Sequence, residues 1–270
     1  MNKKPIVITI TSNKGGVGKT ICAAAMADIL SRKSQVLLVD TDPQGNCATK
    51  FGLEISNGRG PLGDYLTDIV MGATNPNPVD YLTEPDGQYK NVDVLVGGKQ
   101  LKNQCYDYIF SVSASKALKS FKRIFEQLAA LDRYDYIIVD TPPTYGNEMT
   151  AILRATDYAL IPVTVNRDTI EGANTALKFI SDAREDNPEL KVAGIFFNQY
   201  MERRKATHEV EPFLRGAWED DVLHTRIPYT DAPVNDSINR GEPITRCSPD
   251  SKVAKGFFKL TEEVLSRVAV

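Results

Sequence analysis

A glycine-rich loop near the start of the chain has the composition of a phosphate-binding loop. Residues 12–20 read Ser-Asn-Lys-Gly-Gly-Val-Gly-Lys-Thr and follow the apolar run 6–10. Three positions carry no side chain: Gly15, Gly16 and Gly18. Their backbone N–H groups can therefore turn onto phosphate oxygens, and the N-terminus of a following helix adds partial positive charge. The order of strand, loop and helix predicts a nucleotide site.

The end of this loop carries the residues that a bound nucleotide needs. Lys19 supplies a point charge to the β- and γ-phosphates, and the hydroxyl of Thr20 is placed to ligate Mg²⁺. The strict pattern G-x-x-x-x-G-K-[ST] is not met, because Asn13 stands at its first glycine. The loop is the deviant form K-G-G-V-G-K-T, with a second lysine, Lys14. We expect ATP to contact the whole loop and the residue after it, including Val17 and Ile21. A glycine turn without a ligand is the alternative, which this context disfavours.

Two aspartates follow apolar runs that read as buried strands. Asp40 ends the run 36–39 and begins Asp-Thr-Asp-Pro-Gln-Gly-Asn, while Asp140 ends the run 136–139 and begins Asp-Thr-Pro-Pro. A carboxylate at a strand end can hold Mg²⁺, and a neighbouring one can orient an attacking water. Asp140 fits the first role and Asp42 the second. Either aspartate alone is as well explained as a helix N-cap, but the three signals together favour the nucleotide site.

These residues need a scaffold, and the rest of the sequence predicts one. Nearly continuous apolar runs, typical of parallel strands buried on both faces, recur at residues 6–10, 36–39, 92–96, 136–139, 158–165 and 192–197. Helical patterns lie between them, most clearly at 21–30 and 115–131. Residues 56–61 and 72–91 read as surface loops. We predict one α/β domain over 1–270, a P-loop NTPase with a mostly parallel twisted sheet flanked by helices on both faces.

Composition narrows the classes of function. The formal charge of the 270 residues is −3, so any contact with nucleic acid must come from a local patch. The cysteines are spaced too widely for a zinc ribbon or an iron–sulfur carrier: Cys22, Cys47, Cys105 and Cys247. No run is apolar enough to span a bilayer. We expect a cytoplasmic protein. The few residues before Lys14 leave no room for a helix-turn-helix domain, so operator-specific repression is not expected.

Three motifs together carry a family resemblance. The segments K-G-G-V-G-K-T at 14–20, D-x-D-P-Q-G-N at 40–46 and D-T-P-P at 140–143 resemble those of the ParA/Soj partition ATPases. MinD and the nitrogenase iron protein are more distant relatives. The similarity extends through most of the chain, including Gly-Glu-Pro-Ile at 241–244. It implies an ATP-dependent homodimer in which Lys14 reaches the partner's ATP. Taken alone, Lys14 is equally consistent with a solvated loop lysine.

The resemblance also implies roles around the γ-phosphate. Asp42 would position the hydrolytic water, Asp40 would assist near the metal, and Thr141 and Pro142 would belong to a switch that senses the γ-phosphate. Asn198 and Pro228 match positions that contact adenine. An asparagine that caps its own turn at a strand end is an equally good explanation of Asn198.

Binding of nonspecific double-stranded DNA is implied by the resemblance, not by charge. Residues 201–270 hold 11 Lys and Arg against 12 Asp and Glu, so a DNA patch would arise from arrangement. Arg215 and Arg246 match arginines that Soj-like proteins use for DNA, and Lys252 and Lys255 lie nearby. Solvated surface arginines are the alternative. A ParB-like centromere-binding protein that stimulates hydrolysis is the implied partner, and nucleoid association in the ATP-bound state follows.

Other functions remain possible on the same fold. A MinD-like protein would carry a basic amphipathic tail, but residues 256–270 include Glu262 and Glu263 and only Lys259 and Arg267 as cations, so no stable membrane anchor is expected. A nucleotide-binding adaptor that does not hydrolyse ATP is another alternative, and an ATPase assay would distinguish it from an ATPase. Plasmid or chromosome partition is the main expectation. The alternative is a ParA-family ATPase that positions another cargo, a protein complex or membrane-associated machinery.

Overall fold

The computed structural model describes residues 4–72, 76–165 and 169–268, without the side chains of Thr169 and Ala206. Seven strands form one sheet: β1 Ile6–Ile10, β2 Val36–Asp40, β3 Val92–Val96, β4 Tyr136–Asp140, β5 Tyr158–Val163, β6 Lys191–Tyr200 and β7 Val222–Pro228. Their order is β3-β2-β4-β1-β5-β6-β7, and every neighbouring pair is parallel. The predicted parallel α/β sheet is confirmed. The carboxyl ends of the strands, where the motif aspartates lie, meet at one edge of this sheet.

Helices cover the sheet: α1 Lys19–Ser31, α2 Gly60–Met71, α3 Asp107–Ala117, α4 Ser120–Ala129, α5 Asn147–Leu153, α6 Thr169–Ala183, α7 Lys205–Trp218, α8 Asp231–Arg240, α9 Ile244–Cys247 and α10 Lys252–Val268. Shorter turns are the 3-10 helices Ala48–Phe51, Pro78–Tyr81 and Glu219–Asp221 and the π-helical segment Leu101–Tyr106. No helix among the described residues has the length and apolar character needed to cross a bilayer.

Alternate residues of the central strands pack on opposite faces. Ile8 of β1 and Leu38 of β2 share a core with α1 and α10, whereas Val7 and Leu37 belong to a core with α2, α3 and α4. Successive side chains of a strand point to opposite faces, and here both faces are apolar. This double burial explains why the strands read as continuous apolar runs.

The structure differs from the sequence prediction in a few elements. Strand β7 was not predicted because its sequence, Val-Leu-His-Thr-Arg-Ile-Pro, mixes buried with exposed side chains at the sheet edge. The predicted helix 115–131 is divided, since α3 ends at Ala117 and α4 begins at Ser120. The Ser120 hydroxyl donates to the Ala117 carbonyl oxygen at 2.7 Å, a local bond that competes with the regular helix.

The two predicted surface loops are partly ordered into helices. Helix α2 begins at Gly60, within the predicted loop 56–61. The loop 72–91 contains the 3-10 helix Pro78–Tyr81, and its residues 73–75 lie outside the described residues. Strand β5 ends two residues earlier than predicted, and β6 extends to Tyr200.

Candidate nucleotide-binding site

The phosphate loop connects β1 to α1 and has a backbone that requires glycine. Gly16 and Gly18 lie in the left-handed region, with φ of 73° and 86°. A Cβ at Gly18 would stand 2.1 Å from Nδ2 of Asn198. Any side chain there would therefore meet both backbone strain and a steric clash.

Two side chains from the end of β6 hold this loop from outside. Asn198 donates from Nδ2 to the Val17 carbonyl oxygen at 2.7 Å, and Gln199 donates from Nε2 to the Gly16 carbonyl oxygen at 2.6 Å. In a trans peptide the C=O and the next N–H point in opposite directions. The N–H groups of Val17 and Gly18 are therefore turned away from these amides.

The lysine that ends the loop is buried. Lys19 is 6% exposed, and its Nζ donates to the Lys14 carbonyl oxygen at 3.2 Å. Burial lowers the pKa of Lys19, while the carboxylates of Asp140 and Asp42 oppose that shift. Lys19 is therefore a desolvated cation in the field of two carboxylates.

Asp40 accepts hydrogen bonds from the backbone of the segment that follows β2. Its side chain is fully buried; Oδ1 accepts from the Asp42 N–H at 3.2 Å, and Oδ2 accepts from the N–H groups of Cys47 and Ala48 at 3.0 and 2.8 Å. Burial raises the pKa of Asp40, and these backbone hydrogen bonds oppose the rise. The structure therefore gives Asp40 a positioning contact with the segment that carries Asp42.

Asp140 is a fully buried carboxylate at the end of β4, near Thr20 and Lys19. It faces Asp40 across the β2–β4 register and is fully buried, and neither of its oxygens has a hydrogen-bond partner among the described residues. Burial, and then the charge of Asp40, raise the pKa of Asp140 well above its ordinary value; the nearby Thr20 hydroxyl and the Lys19 ammonium oppose this. An unpaired buried carboxylate is costly unless a cation compensates it.

These residues fit a magnesium ion better than a metal held by protein alone. Among the residues that the structure describes, no three His, Cys, Asp or Glu side chains cluster as the ligands of a metal ion. Mg²⁺ needs only one or two carboxylates when phosphates supply further oxygens. Asp140 and Thr20 suit that arrangement, whereas both Asp40 oxygens are already occupied.

A cavity of about 560 Å³ opens beside the loop, within the range of small-molecule sites. The predicted site residues that line it are Gly15, Gly16, Gly18, Lys19, Thr20, Ile21, Asp42, Asn198 and Pro228. Lys14, Val17, Asp40 and Asp140 do not line it. The structure thus brings both halves of the chain to one cavity.

The cavity wall also includes residues that no sequence motif marked. Gln199, Tyr229 and Asp231 line it, as does Lys50, which is 7% exposed and donates from Nζ to the Ser237 carbonyl oxygen at 2.7 Å. Burial lowers the pKa of Lys50. These residues come from the end of β6, the turn between β7 and α8, the start of α8 and the 3-10 helix Ala48–Phe51, which only the fold brings together, so spacing along the chain gave no signal for them.

Thr141 and Pro142, which the resemblance assigned to a switch, lie directly after β4. Both are buried, and the Thr141 hydroxyl donates to the Ile10 carbonyl oxygen at 2.7 Å. This bond connects the second aspartate motif to the strand that leads into the phosphate loop. The two segments are therefore positioned together.

The arginines predicted for DNA are engaged in ion pairs. Arg215 donates from Nε to Glu211 at 2.8 Å. Arg246 pairs through Nε with the fully buried Asp28 and stacks 4.5 Å over the ring of Tyr89. Lys252 is exposed, and Lys255 lies 3.6 Å from Asp250.

Comparisons with known proteins agree with this geometry. A family model described as an AAA domain, AAA_31, matches residues 6–192. The chromosome partitioning protein ParA of Caulobacter vibrioides is 27% identical over 99% of this chain and 97% of its own length. The sporulation initiation inhibitor protein Soj of Bacillus subtilis is 29% identical, over 96% and 97%. The McdA–ATP complex of Cyanothece shares the fold, with a TM-score of 0.79, 18% identity and coverage of 99% and 98%. The chain therefore belongs to the AAA_31 family of AAA domains, and along its length it is of the ParA/Soj type.

Proposed function

We propose that this chain is a Mg²⁺-dependent ATPase whose ATP-bound homodimer binds duplex DNA without sequence preference and drives partition of a plasmid or a chromosome. The observation that carries the proposal is the braced phosphate loop beside Asp140, a buried carboxylate without a partner among the described residues. The similarity to proteins named for chromosome partitioning supports the cellular role.

The loop supplies the phosphate site. The N–H groups of residues 15–18 and the ammonium of Lys19 would bind the phosphates, and Ile21, Asn198 and Pro228 would lie along the rest of the nucleotide. Thr20 and Asp140 would hold Mg²⁺ with the phosphate oxygens. The bound ion would neutralise phosphate charge that builds up as the γ-phosphoryl group leaves.

Asp42 is the residue that would act on water. It lines the cavity, its N–H is held by Asp40, and its Oδ1 accepts from the Gln44 N–H at 2.9 Å. A carboxylate fixed in this way can orient a water for in-line attack on the γ-phosphate. Asp40 contributes through the position of Asp42.

Dimerisation and release complete the proposed cycle. Lys14 would reach the partner's ATP, so that nucleotide binding and dimerisation become one event, and Thr141 and Pro142 would respond to the γ-phosphate. A ParB-like protein would stimulate hydrolysis and release the DNA. The protein would be cytoplasmic and associated with the nucleoid while ATP is bound.

A second candidate function is a ParA-type ATPase that positions another cargo. The ion pairs of Arg215 with Glu211 and of Arg246 with Asp28 favour it, because paired arginines give DNA less uncompensated charge. The two candidates share the ATPase cycle and differ in the surface that the dimer presents.

Retention on nonspecific duplex DNA separates the two candidates. The purified protein is applied without nucleotide, with ADP and with Mg-ATP at two salt concentrations, and Asp42→Ala serves as the variant that binds ATP without turnover. We expect binding only with Mg-ATP, weakening with salt, and persisting in Asp42→Ala while hydrolysis falls by about 100-fold or more. Dimerisation with nucleotide but without DNA binding would favour the second candidate, an ATPase that positions another cargo. Unchanged hydrolysis in Asp42→Ala would contradict the role assigned to Asp42.

A further inference from the structure

One segment of the chain has a charge opposite to that of the whole. Residues 99–123 contain six cations, Lys99, Lys102, Lys116, Lys119, Lys122 and Arg123. Asp107 is the sole acidic residue between them, so the segment has a formal charge of +5 within a chain of −3. Such a local excess produces a positive surface that the overall charge conceals.

The fold arranges four of these cations on one side of a helical surface. Lys116, Lys119, Lys122 and Arg123, here called the basic stripe, recur at steps of three and four residues and are all exposed. The opposite face, including Phe121 and Phe125, is buried in the core with α2. Residues three and four apart are neighbours on a helix, so the basic stripe is a continuous surface.

The boundary between α3 and α4 falls within the basic stripe, and Lys119 departs from ideal helical dihedrals there, with φ of −101° and ψ of −1°. Leu118 keeps helical dihedrals, with φ of −62° and ψ of −21°. The Arg123 N–H donates to the Lys119 carbonyl oxygen at 3.1 Å. At a rise of about 1.5 Å per residue the basic stripe extends roughly 10 Å along the helix axis.

The side chains of the basic stripe are not engaged by a close partner among the described residues. None of them makes an ion pair or a hydrogen bond with another residue in the described ranges, whereas Arg215 is paired with Glu211 and Arg246 with Asp28. A cation already paired must give up its partner before it can bind a phosphate. An uncompensated cation gives up only water and counterions.

We propose that the basic stripe binds the phosphate backbone of duplex DNA; this rests on the proposed DNA-dependent function and names its contact surface. Nonspecific binding needs several cations on one face and no side chain that reads base edges. The exposed side of α4 offers Lys122, Arg123 and Glu126, without an exposed large apolar residue. A protein partner would more often seek an apolar centre. The exposed Tyr108 and Val112 precede the break in helical dihedrals at Ser113 and lie outside the basic stripe.

The test compares two triple variants with the same loss of charge. One is Lys116→Gln/Lys119→Gln/Arg123→Gln in the basic stripe, and the other is Lys252→Gln/Lys255→Gln/Lys259→Gln on α10. Affinity for nonspecific duplex DNA is measured with Mg-ATP across a salt series, together with nucleotide binding, dimerisation and thermal unfolding. A third variant, Lys116→Arg/Lys119→Arg, keeps the charge.

We expect the basic-stripe variant to bind DNA at least tenfold more weakly and the salt slope to fall by about 2 to 3, near one per lost phosphate contact. The α10 variant tests the competing surface, because Lys252 and Lys255 were candidates for DNA contact from the sequence, and it should stay within about twofold of the wild type. The arginine variant should bind normally. Nucleotide binding and dimerisation should be unchanged in all three.

Other results overturn the inference in distinguishable ways. Wild-type protein that dimerises with ATP but does not bind DNA contradicts the DNA function together with this surface. Wild-type binding that the basic-stripe variant retains, with the same salt slope, contradicts the surface alone. Weaker DNA binding in the α10 variant alone would place the DNA contact on α10 and contradict the inference. A basic-stripe variant that keeps DNA but no longer responds to an acidic protein partner identifies a protein-docking surface instead.

Discussion

The side-chain amide of Gln199 donates to the carbonyl oxygen of Gly16 at 2.6 Å, so the end of β6 holds the phosphate loop that begins the nucleotide site. Gln199 itself lies in the left-handed region, with φ of 52°. A non-glycine residue in that conformation carries backbone strain. The hydrogen bond from this strained residue connects the end of β6 to the backbone of the phosphate loop.

Gln199→Leu should weaken nucleotide binding. Loss of one hydrogen bond of about 1 kcal/mol corresponds to roughly fivefold lower affinity for a fluorescent ATP analogue, measured by titration. Gln104→Leu, an exposed glutamine on the segment Leu101–Tyr106, is the matched control and should bind as the wild type does. Equal affinity in both variants would mean that the Gly16 contact does not support the loop.

Asp140→Asn should stabilise the nucleotide-free protein and impair its response to Mg²⁺. Burial and the charge of Asp40 both disfavour an ionised carboxyl here and raise the pKa of Asp140, so a neutral amide removes an unfavourable charge. We expect a gain of about 1–2 kcal/mol in the free energy of unfolding. Mg-ATP should then raise the melting temperature less than in the wild type.

Thermal unfolding with and without Mg-ATP measures both effects. Asp86→Asn, on an exposed loop, is the control and should change neither. A destabilised Asp140→Asn protein with a full response to Mg-ATP would show that this carboxylate is structural.

Arg246→Ala should destabilise the fold. Asp28 is fully buried and pairs with Arg246, Arg32 and Thr245, and removing one partner leaves its charge less compensated. We expect a loss of about 2–4 kcal/mol in urea unfolding, most of it recovered in the double variant Asp28→Asn/Arg246→Ala. The exposed Arg240→Ala should have little effect. Unchanged stability combined with lost DNA binding would support the sequence prediction for Arg246 instead.

Glu211 should make stability depend on pH below neutrality. Burial opposes its ionisation, but hydrogen bonds from Tyr200, Arg226 and Arg215 outweigh burial and lower the pKa of Glu211 below its ordinary 4.5. A lowered folded-state pKa gives stability that is complete above the unfolded pKa and is lost as pH falls through the folded value.

The difference in unfolding free energy between wild type and Glu211→Gln should therefore be constant from about pH 7 to about pH 5.5 and shrink below about pH 4.5. Urea unfolding across this range measures it. Glu262→Gln, a more exposed glutamate on α10, is the comparison. A difference that grows on acidification would contradict the role of these hydrogen bonds.

The sequence by itself determined most of the sheet and which candidate residues lie at its edge. Six apolar runs predicted six of the seven strands because strands buried on both faces leave continuous apolar sequence. The glycine loop, Asp40 and Asp140 were assigned to one site because parallel strands bring their carboxyl ends together. Apolar runs and short motifs are local features of the chain, so they can be recognised without knowing the order of the strands in the sheet.

Tertiary structure decided which groups remain available to a ligand. Asp40 and Asp140 both end buried strands, yet only Asp140 lacks a partner among the described residues, because the turn after β2 folds back onto Asp40. Arg246 pairs with Asp28, which lies 218 positions away along the chain. The side chains of the basic stripe make no ion pair with a described residue. Pairing of charges depends on distances in space, which spacing along the chain does not contain.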